Sequence, residues 1–535
     1  MSINASASTG AASIYQHRWW TLAVVSLAWG VAGVGTSIMN VSLPTLQREL
    51  NASSSDLQWI MNAYILAVAA LLITMGSVGD RVGSAHALRG GVIAIAAGSI
   101  LAMTANSANI VIVARVIMGI GAAAIMPATL AVITHAFPVE ERGKAVAIWT
   151  VIVSVSIALG PIIGGLLIRY FSWHSIFFFN VPFAIAVLAG SLFFLPNHRN
   201  QNARHVDIPG MLLSTAGLAT LVYGLIRAGM GGWTDGTVIG CFGVATALIF
   251  LFVLWELHAA TPMLDPKLFA NPRLSAGTAS ILLVTLVYSG TLFVLTLYMQ
   301  FVRGHSALET GILFLPFGIG CVAGSVTSYR RVERFGIKWT IASALLLLAG
   351  ILAVTSFWTG GTPYWMAALT MFVVAFCMNT VIPPATTASV SSVPASRSGE
   401  VSGISPLSMQ VGSAMGIALM GSILASQYTS SVAHALAGKV TLSVDTMASI
   451  QKSLGSAIAV ADKLPSGTGE IVRTAARNSF MDGWQVMALV ICVIAVAGAI
   501  FAVKFMPPRL SPVLDTSKTR APGEKPLSEV SSAGD

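Results

Sequence analysis

Apolar residues run along this chain in long unbroken stretches. They show neither the two-residue alternation of a half-buried strand nor the one-faced spacing of a soluble helix. A hydrocarbon layer about 30 Å thick is crossed by roughly 20 helical residues. Fourteen stretches of that order stand between polar or Gly/Pro punctuation: residues 19–41, 57–78, 87–106, 108–133, 144–168, 174–195, 208–228, 237–257, 274–300, 308–328, 338–357, 364–387, 401–426 and 482–506. Backbone groups in lipid must bond within their own segment, so continuous runs predict helices rather than barrel strands. The first run is too long for a signal-peptide core and no small-residue cleavage site follows it, which predicts a retained helix. Residues 507–535, rich in Pro, Ser, Lys and Glu, are predicted to be a disordered cytoplasmic tail.

Composition makes lipid the only plausible solvent. Of 535 residues 55% are apolar and 9% charged, about a third of the usual charged fraction. The 29 Lys and Arg against 20 Asp and Glu leave a net charge of +9, which the loops explain without nucleic acid. With the N-terminus inside, nineteen basic residues fall on the cytoplasmic side and four in short outer loops. An even number of spans then puts both termini in the cytoplasm. Five more basic residues lie in a long outer loop, 427–481, whose length exempts it from the rule, and Arg115 lies within a span. Cys241, Cys321, Cys377 and Cys492 all sit in apolar runs, so no disulfide and no metal site is expected.

The chain also repeats itself. Met126 to Gly143 lies without gaps on Ile382 to Gly399, an offset of 256 that also lands Gly160 on Gly416. Asp80-Arg81-Val82-Gly83 is echoed by Glu333-Arg334-Phe335-Gly336 at an offset of 253. Two six-helix bundles, 19–198 and 273–506, are therefore expected to flank two inserted helices with their linkers, 199–272, after an N-terminal cytoplasmic tail, 1–18.

Two motifs bear on movement. Asp80 and Arg81, with Gly83, stand at a helix end, where an acid either caps the turn or faces a neighbouring helix terminus as a latch. Gly160, Pro161, Gly164 and Gly165 form a thin, bent helix face suited to a seam. With these residues the chain resembles the major facilitator superfamily, specifically its fourteen-span drug:proton antiporter family of multidrug exporters. Asp80 to Gly83 resembles the family's loop motif, Arg115 to Gly121 its helix-four motif, and Gly160-Pro161 with Gly164-Gly165 its antiporter motif. Thr36 to Pro44, Gln58-Trp59 with Tyr64, and Ile176 to Pro182 resemble further signatures. The chain departs from the pattern at Gly35, where the family usually has aspartate, and at Ser84, Ala85, Met118, Ser156 and His174.

The resemblance implies an all-α integral membrane protein of the cell membrane that exports lipophilic drugs or toxic compounds against protons, conferring resistance. It implies no enzyme activity and no cofactor beyond the proton gradient. Its partners would be a small lipophilic substrate, protons and the bilayer, in a chain able to act as a monomer. A facilitator or uptake permease, and less favourably a non-transporting receptor, remain as alternatives.

The residues themselves offer no midplane acid, since all twenty carboxylates fall in loops, tails or terminal turns. Proton coupling therefore rests on the resemblance, with Asp56, Glu309 and Arg115 as candidates. Arg115 either faces the interior or snorkels to the outer surface. A cavity without an acid would suit neutral, zwitterionic or anionic lipophiles. It would be lined by Trp29, Asn40, Asn62, Tyr64, Tyr288, Tyr298, Asn379 and Gln410, although each polar one could equally bond a neighbouring helix.

Overall fold

The structure, a computed structural model, describes residues 3–195, 207–260, 262–393, 398–440 and 442–506. It is all-helical. The first bundle comprises α1 (Ile3–Glu49), α2 (Ser54–Val82), α3 (Ser84–Met103), α4 (Ala108–Ala136), α5 (Val139–Tyr170), α6 (Ser175–Phe178) and α7 (Asn180–Phe194). Then come α8 (Ile208–Gly231) and α9 (Gly236–His258). The second bundle comprises α10 (Pro272–Leu297), α11 (Ala307–Leu313), α12 (Leu315–Thr355), α13 (Tyr364–Val390), α14 (Ser398–Leu436), α15 (Val444–Lys452), α16 (Leu454–Ala461) and α17 (Ser466–Phe505). Among the described residues, thirteen helices are long and apolar enough to cross a membrane. One of them, Ala307–Thr355, covers two of the expected spans. It breaks at Gly336, whose φ of 78° and ψ of 170° no helix contains.

The duplication extends to the helix ends. Ser53 and Asp56 form a reciprocal capping box at the start of α2, and Ser306 with Glu309, 253 positions on, forms the same box at the start of α11. At the far end of α2, Gly83 has a φ of 102°, and Gly336 again lies 253 positions on. Both glycines take a left-handed backbone that a Cβ would strain, so helices two and three of each bundle are joined by the same sharp turn. Packing repeats as well. A Cβ on Gly119 of α4 would stand 2.7 Å from Ala67 of α2, while one on Gly320 of α12 would stand 3.1 Å from Ala375 of α13. These are equivalent helix pairs with the glycine on opposite partners.

Two stretches expected to lie outside the spans are helical, and a third is not described. The expected tail 1–18 is helical from Ile3, continuous with the first span. The expected long outer loop 427–481 is mostly helix. It is formed by the extension of α14, by α15 and α16, and by the first turns of α17, which at 40 residues is about 60 Å long, twice the hydrocarbon thickness. Its polarity hid that order, which comes from tertiary bonds such as Tyr428 Oη donating to Ile450 O at 3.0 Å. The expected tail 507–535 lies outside the described residues.

The inserted pair α8 and α9 pack on each other. Through α8 they reach both α2 of the first bundle and α14 of the second. The α9 face is largely exposed and apolar, with Phe250, Leu251 and Leu254 outward, as lipid requires.

Candidate functional site: the seam between the bundles

Two pseudo-equivalent contacts join the bundles at the end carrying the α1–α2 turn. On one flank the glycine face of α5 meets α11. A Cβ on Gly165 would stand 2.5 Å from the Leu308 Cα, and one on Gly311 would collide with the Pro161 carbonyl. On the other flank Gly421, 256 positions after Gly165, would place its Cβ 2.5 Å from the Gln58 side chain of α2. Gln58 itself is 253 positions before Gly311. Gly160 and Gly164 serve another partner, α1 inside the first bundle: a Cβ on each would stand 2.6 Å from Ser37 and 3.1 Å from Ile38. The four motif residues thus make a helix thin on two sides, with α1 on one and the second bundle on the other.

Hydrogen bonds fasten the same end. Gln300 Nε2, in a π-helical turn after α10, donates to Val41 O at 2.7 Å in a buried setting. Lys452 Nζ donates to Asn51 O at 2.8 Å, and Ser54 Oγ reaches Lys452 O at 3.5 Å. What remains between Gln47, Gln58, Phe301, Gly421 and Tyr428 is a cavity of about 20 Å³, room for one water. The bonds from Gln300, Lys452 and Ser54, together with Ser422 Oγ to Gln58 Oε1 at 3.5 Å, all lie at this end. At the opposite end Asp80 and Arg81 are exposed, with His135 of α4 near enough to act on the Asp80 carboxylate. Gly83 beside them is the buried turn.

Arg115 is wholly buried. Gly119, one turn along the same face of α4, lets α4 approach the α2 backbone to within contact of Tyr64 O. That closeness brings the Arg115 Nε within 3.1 Å of Ile60 O and its guanidinium 4.2 Å from the Tyr64 ring centre. Both terminal guanidinium nitrogens lack a protein partner. A buried cation held by one carbonyl and one aromatic face has regained only part of its hydration: cation–π contact gives about 2 kcal/mol, against a desolvation cost of several. Asn62, two residues before Tyr64, is also fully buried, and neither its Oδ1 nor its Nδ2 has a partner.

The remaining candidates scatter. Asp56 and Glu309 are the acids of the two capping boxes, accepting from the Ser53 N–H at 2.7 Å and the Ser306 N–H at 2.8 Å. Trp29, Asn40 and Gln410 are half-buried. Tyr288 stacks on Phe317, 5.6 Å between ring centres. Asn379 is bonded within the second bundle, to Ala375 O and the Ser325 hydroxyl. Tyr298 is enclosed by Trp358 and Trp484 in the core of that bundle, away from Arg115 and Tyr64. Sequence reasoning passed over Gln300, because one glutamine near a span end has no signature. The paired capping boxes did carry one, Ser-x-x-Asp and Ser-x-x-Glu at the repeat offset.

The chain matches the family model described as Major Facilitator Superfamily over residues 25–417. It is 32% identical over 422 residues to the tetracenomycin C resistance and export protein of Streptomyces glaucescens, covering 79% of this chain and 78% of that one. It is 30% identical over 489 residues to the multidrug efflux pump LfrA of Mycolicibacterium smegmatis, covering 90% and 95%. A crystal structure of a bacterial homolog of the human lysosomal transporter Spinster superposes with a TM-score of 0.64 at 17% identity, covering 93% of this chain and 99% of that one. Two duplicated helical bundles, a glycine-lined seam between them and these matches lead to one assignment: the chain belongs to the major facilitator superfamily, a multi-pass membrane protein of its multidrug-exporter type.

Proposed function

We propose that the protein exports small lipophilic drugs or toxic compounds across the cell membrane by alternating access, in exchange for protons. The observation that carries this reading is the fastening of the bundles at the α1–α2 end by the Gln300, Lys452 and Ser54 hydrogen bonds, while Asp80 at the opposite end is exposed. In a two-state rocker the two ends close in turn, and a thin seam of Gly160, Pro161, Gly164 and Gly165 lets one bundle tilt on the other. Counting the break at Gly336, the chain has fourteen spans arranged six, two and six, with both termini and the Asp80 end in the cytoplasm, as the loop charges favour. Residues 19–198 and 273–506 are the rocking halves, and 199–272 carries the inserted pair.

Arg115 is the coupling residue in this reading. Its unmatched nitrogens and the unmatched amide of Asn62 supply the polar demand of the first bundle, and Tyr64 supplies an aromatic wall. Trp29, Asn40, Tyr288 and Gln410 extend the cargo surface. A cavity with a cation and no acid favours neutral, zwitterionic or anionic lipophiles.

Proteoliposomes with an imposed pH gradient test the whole reading. Cargo flux and proton flux, measured together over a panel of neutral, anionic and permanently dicationic dyes, should run in opposite directions and stop together when the gradient is collapsed. Cargo movement indifferent to the gradient would instead identify a facilitator, and preference for the dications would overturn the cargo class.

A further inference from the structure

Two acids meet on the inserted helices. Asp207 caps α8: its Oδ1 accepts from the Gly210 N–H and from the Trp255 indole, each at 2.9 Å. Glu256, in the last turn of α9, is 2% exposed, and its Oε2 accepts the Leu264 N–H at 3.0 Å. The two carboxyl groups face one another. Their remaining oxygens, Asp207 Oδ2 and Glu256 Oε1, are buried with no protein donor. Both lie within 2.6 Å of the point where a Cβ on Gly210 would stand, so the absence of a side chain there makes the gap they share.

Two carboxylates cannot both keep their charge in one dry gap without a cation, and a proton between them turns repulsion into a strong hydrogen bond. Among the described residues, the neighbouring elements supply no cation. On α9, His258 turns its Nδ1 to Leu254 O. In the segment that follows, Asp265 accepts from the Lys267 N–H, and Arg273 opens α10. On α8, Arg227 is at the far end beside Asp235, 3.8 Å away, and α14 carries His434 at its far end. On α2 the nearest charged residues are Asp80 and Arg81. Among the described residues, none of these pairs with Asp207 or Glu256.

The segment 262–265 makes this pair consequential. The Thr74 hydroxyl of α2 lies 4.0 Å from Met263 Sδ, and Leu264 packs against the cluster of Leu268, Leu274, Val401 and Ile404 in the second bundle. This strap therefore touches both bundles, and Glu256 pins it to α9. We propose that Asp207 and Glu256 form a binding site for one proton, held between Oδ2 and Oε1, and that without it the repulsion of the two carboxylates drives Glu256 out of the gap and off the Leu264 N–H, releasing the strap. The site goes beyond the transport reading, because its occupancy does not depend on any cargo.

Infrared difference spectra of the full chain in nanodiscs, taken through a pH titration, read the proton directly. The wild type should show one protonated-carboxyl stretch that disappears on alkalinisation. Asp207→Asn and Glu256→Gln, which keep the shape and the hydrogen bonds, should each abolish that titrating band, since an amide then bridges the gap without a proton. Hydrogen exchange of the peptide spanning 262–268, corrected for the intrinsic effect of pH, should rise severalfold in the wild type as the band is lost. It should stay level in the double variant. No titrating band in the wild type, or one that survives both substitutions, would overturn the proton site. A band lost without a step in exchange would overturn the release of the strap. Either single variant suffices to assign the band if the other fails to fold, and neither measurement requires transport.

Discussion

At the scale of single residues, the coupling role proposed for Arg115 predicts that stability and function part company there. Its charge is buried against Tyr64 with one carbonyl bond and two unmatched nitrogens. A well-packed apolar side chain would relieve that cost, since replacing a buried ion often stabilises by about 1 to 4 kcal/mol. Arg115→Met should therefore raise the melting temperature of the purified protein while coupled cargo–proton exchange falls by about tenfold or more, the scale of a typical coupling energy. A lower melting temperature with the same loss of flux would make Arg115 a structural strut. Gln300 is the opposite case, a neutral side chain whose one described bond crosses between the bundles. Gln300→Leu removes about 1 kcal/mol from the fastened state, a shift of roughly fivefold toward opening at the α1–α2 end. Spin-label distances across that end, in a cysteine-free background, should broaden toward longer values; an unchanged distribution would show the bond to be incidental.

Among elements, α5 and α14 hold equivalent places in the two bundles but differ in what they meet. A Cβ on Gly165 would press on the Leu308 backbone, whereas one on Gly421 would meet the Gln58 side chain, which can turn aside. Gly165→Ala should therefore hold the α1–α2 end apart and abolish turnover while leaving cargo binding measurable. Gly421→Ala should cost only part of the rate. Equal effects in a vesicle flux assay would mean that the backbone contact does not set closure. These elements also show what was legible in the sequence. The spans were, because their apolar length is imposed by lipid, and so was the order of the repeat, through Gly160 on Gly416 and Asp80 on Glu333. The helices between residues 427 and 481 were not, because their polar surface resembles a loop until Tyr428 and Lys452 are seen bonding across it. Nor could periodicity reveal that Asp56 and Glu309 are occupied as helix caps, or that Asn379 is bonded within its own bundle.

For the whole molecule, the fastened α1–α2 end and the exposed Asp80 are two faces of one conformation. A rocking motion about the seam must break the Gln300, Lys452 and Ser54 bonds before the Asp80 end can close, so the two ends compete for a similar amount of binding energy. In the proposed cycle Asp80, exposed here beside His135, gains a hydrogen-bonding partner in the state closed at its own end and stabilises that state more than this one. Replacing it by the isosteric amide weakens charge-assisted bonding without altering the turn set by Gly83. Asp80→Asn should therefore enrich the conformation described here. Label distances at the α1–α2 end should shorten and narrow, cargo affinity should be nearly unchanged, and turnover should fall because return from this state is slowed. If turnover is undiminished, or if the α1–α2 end opens instead, Asp80 is not a latch.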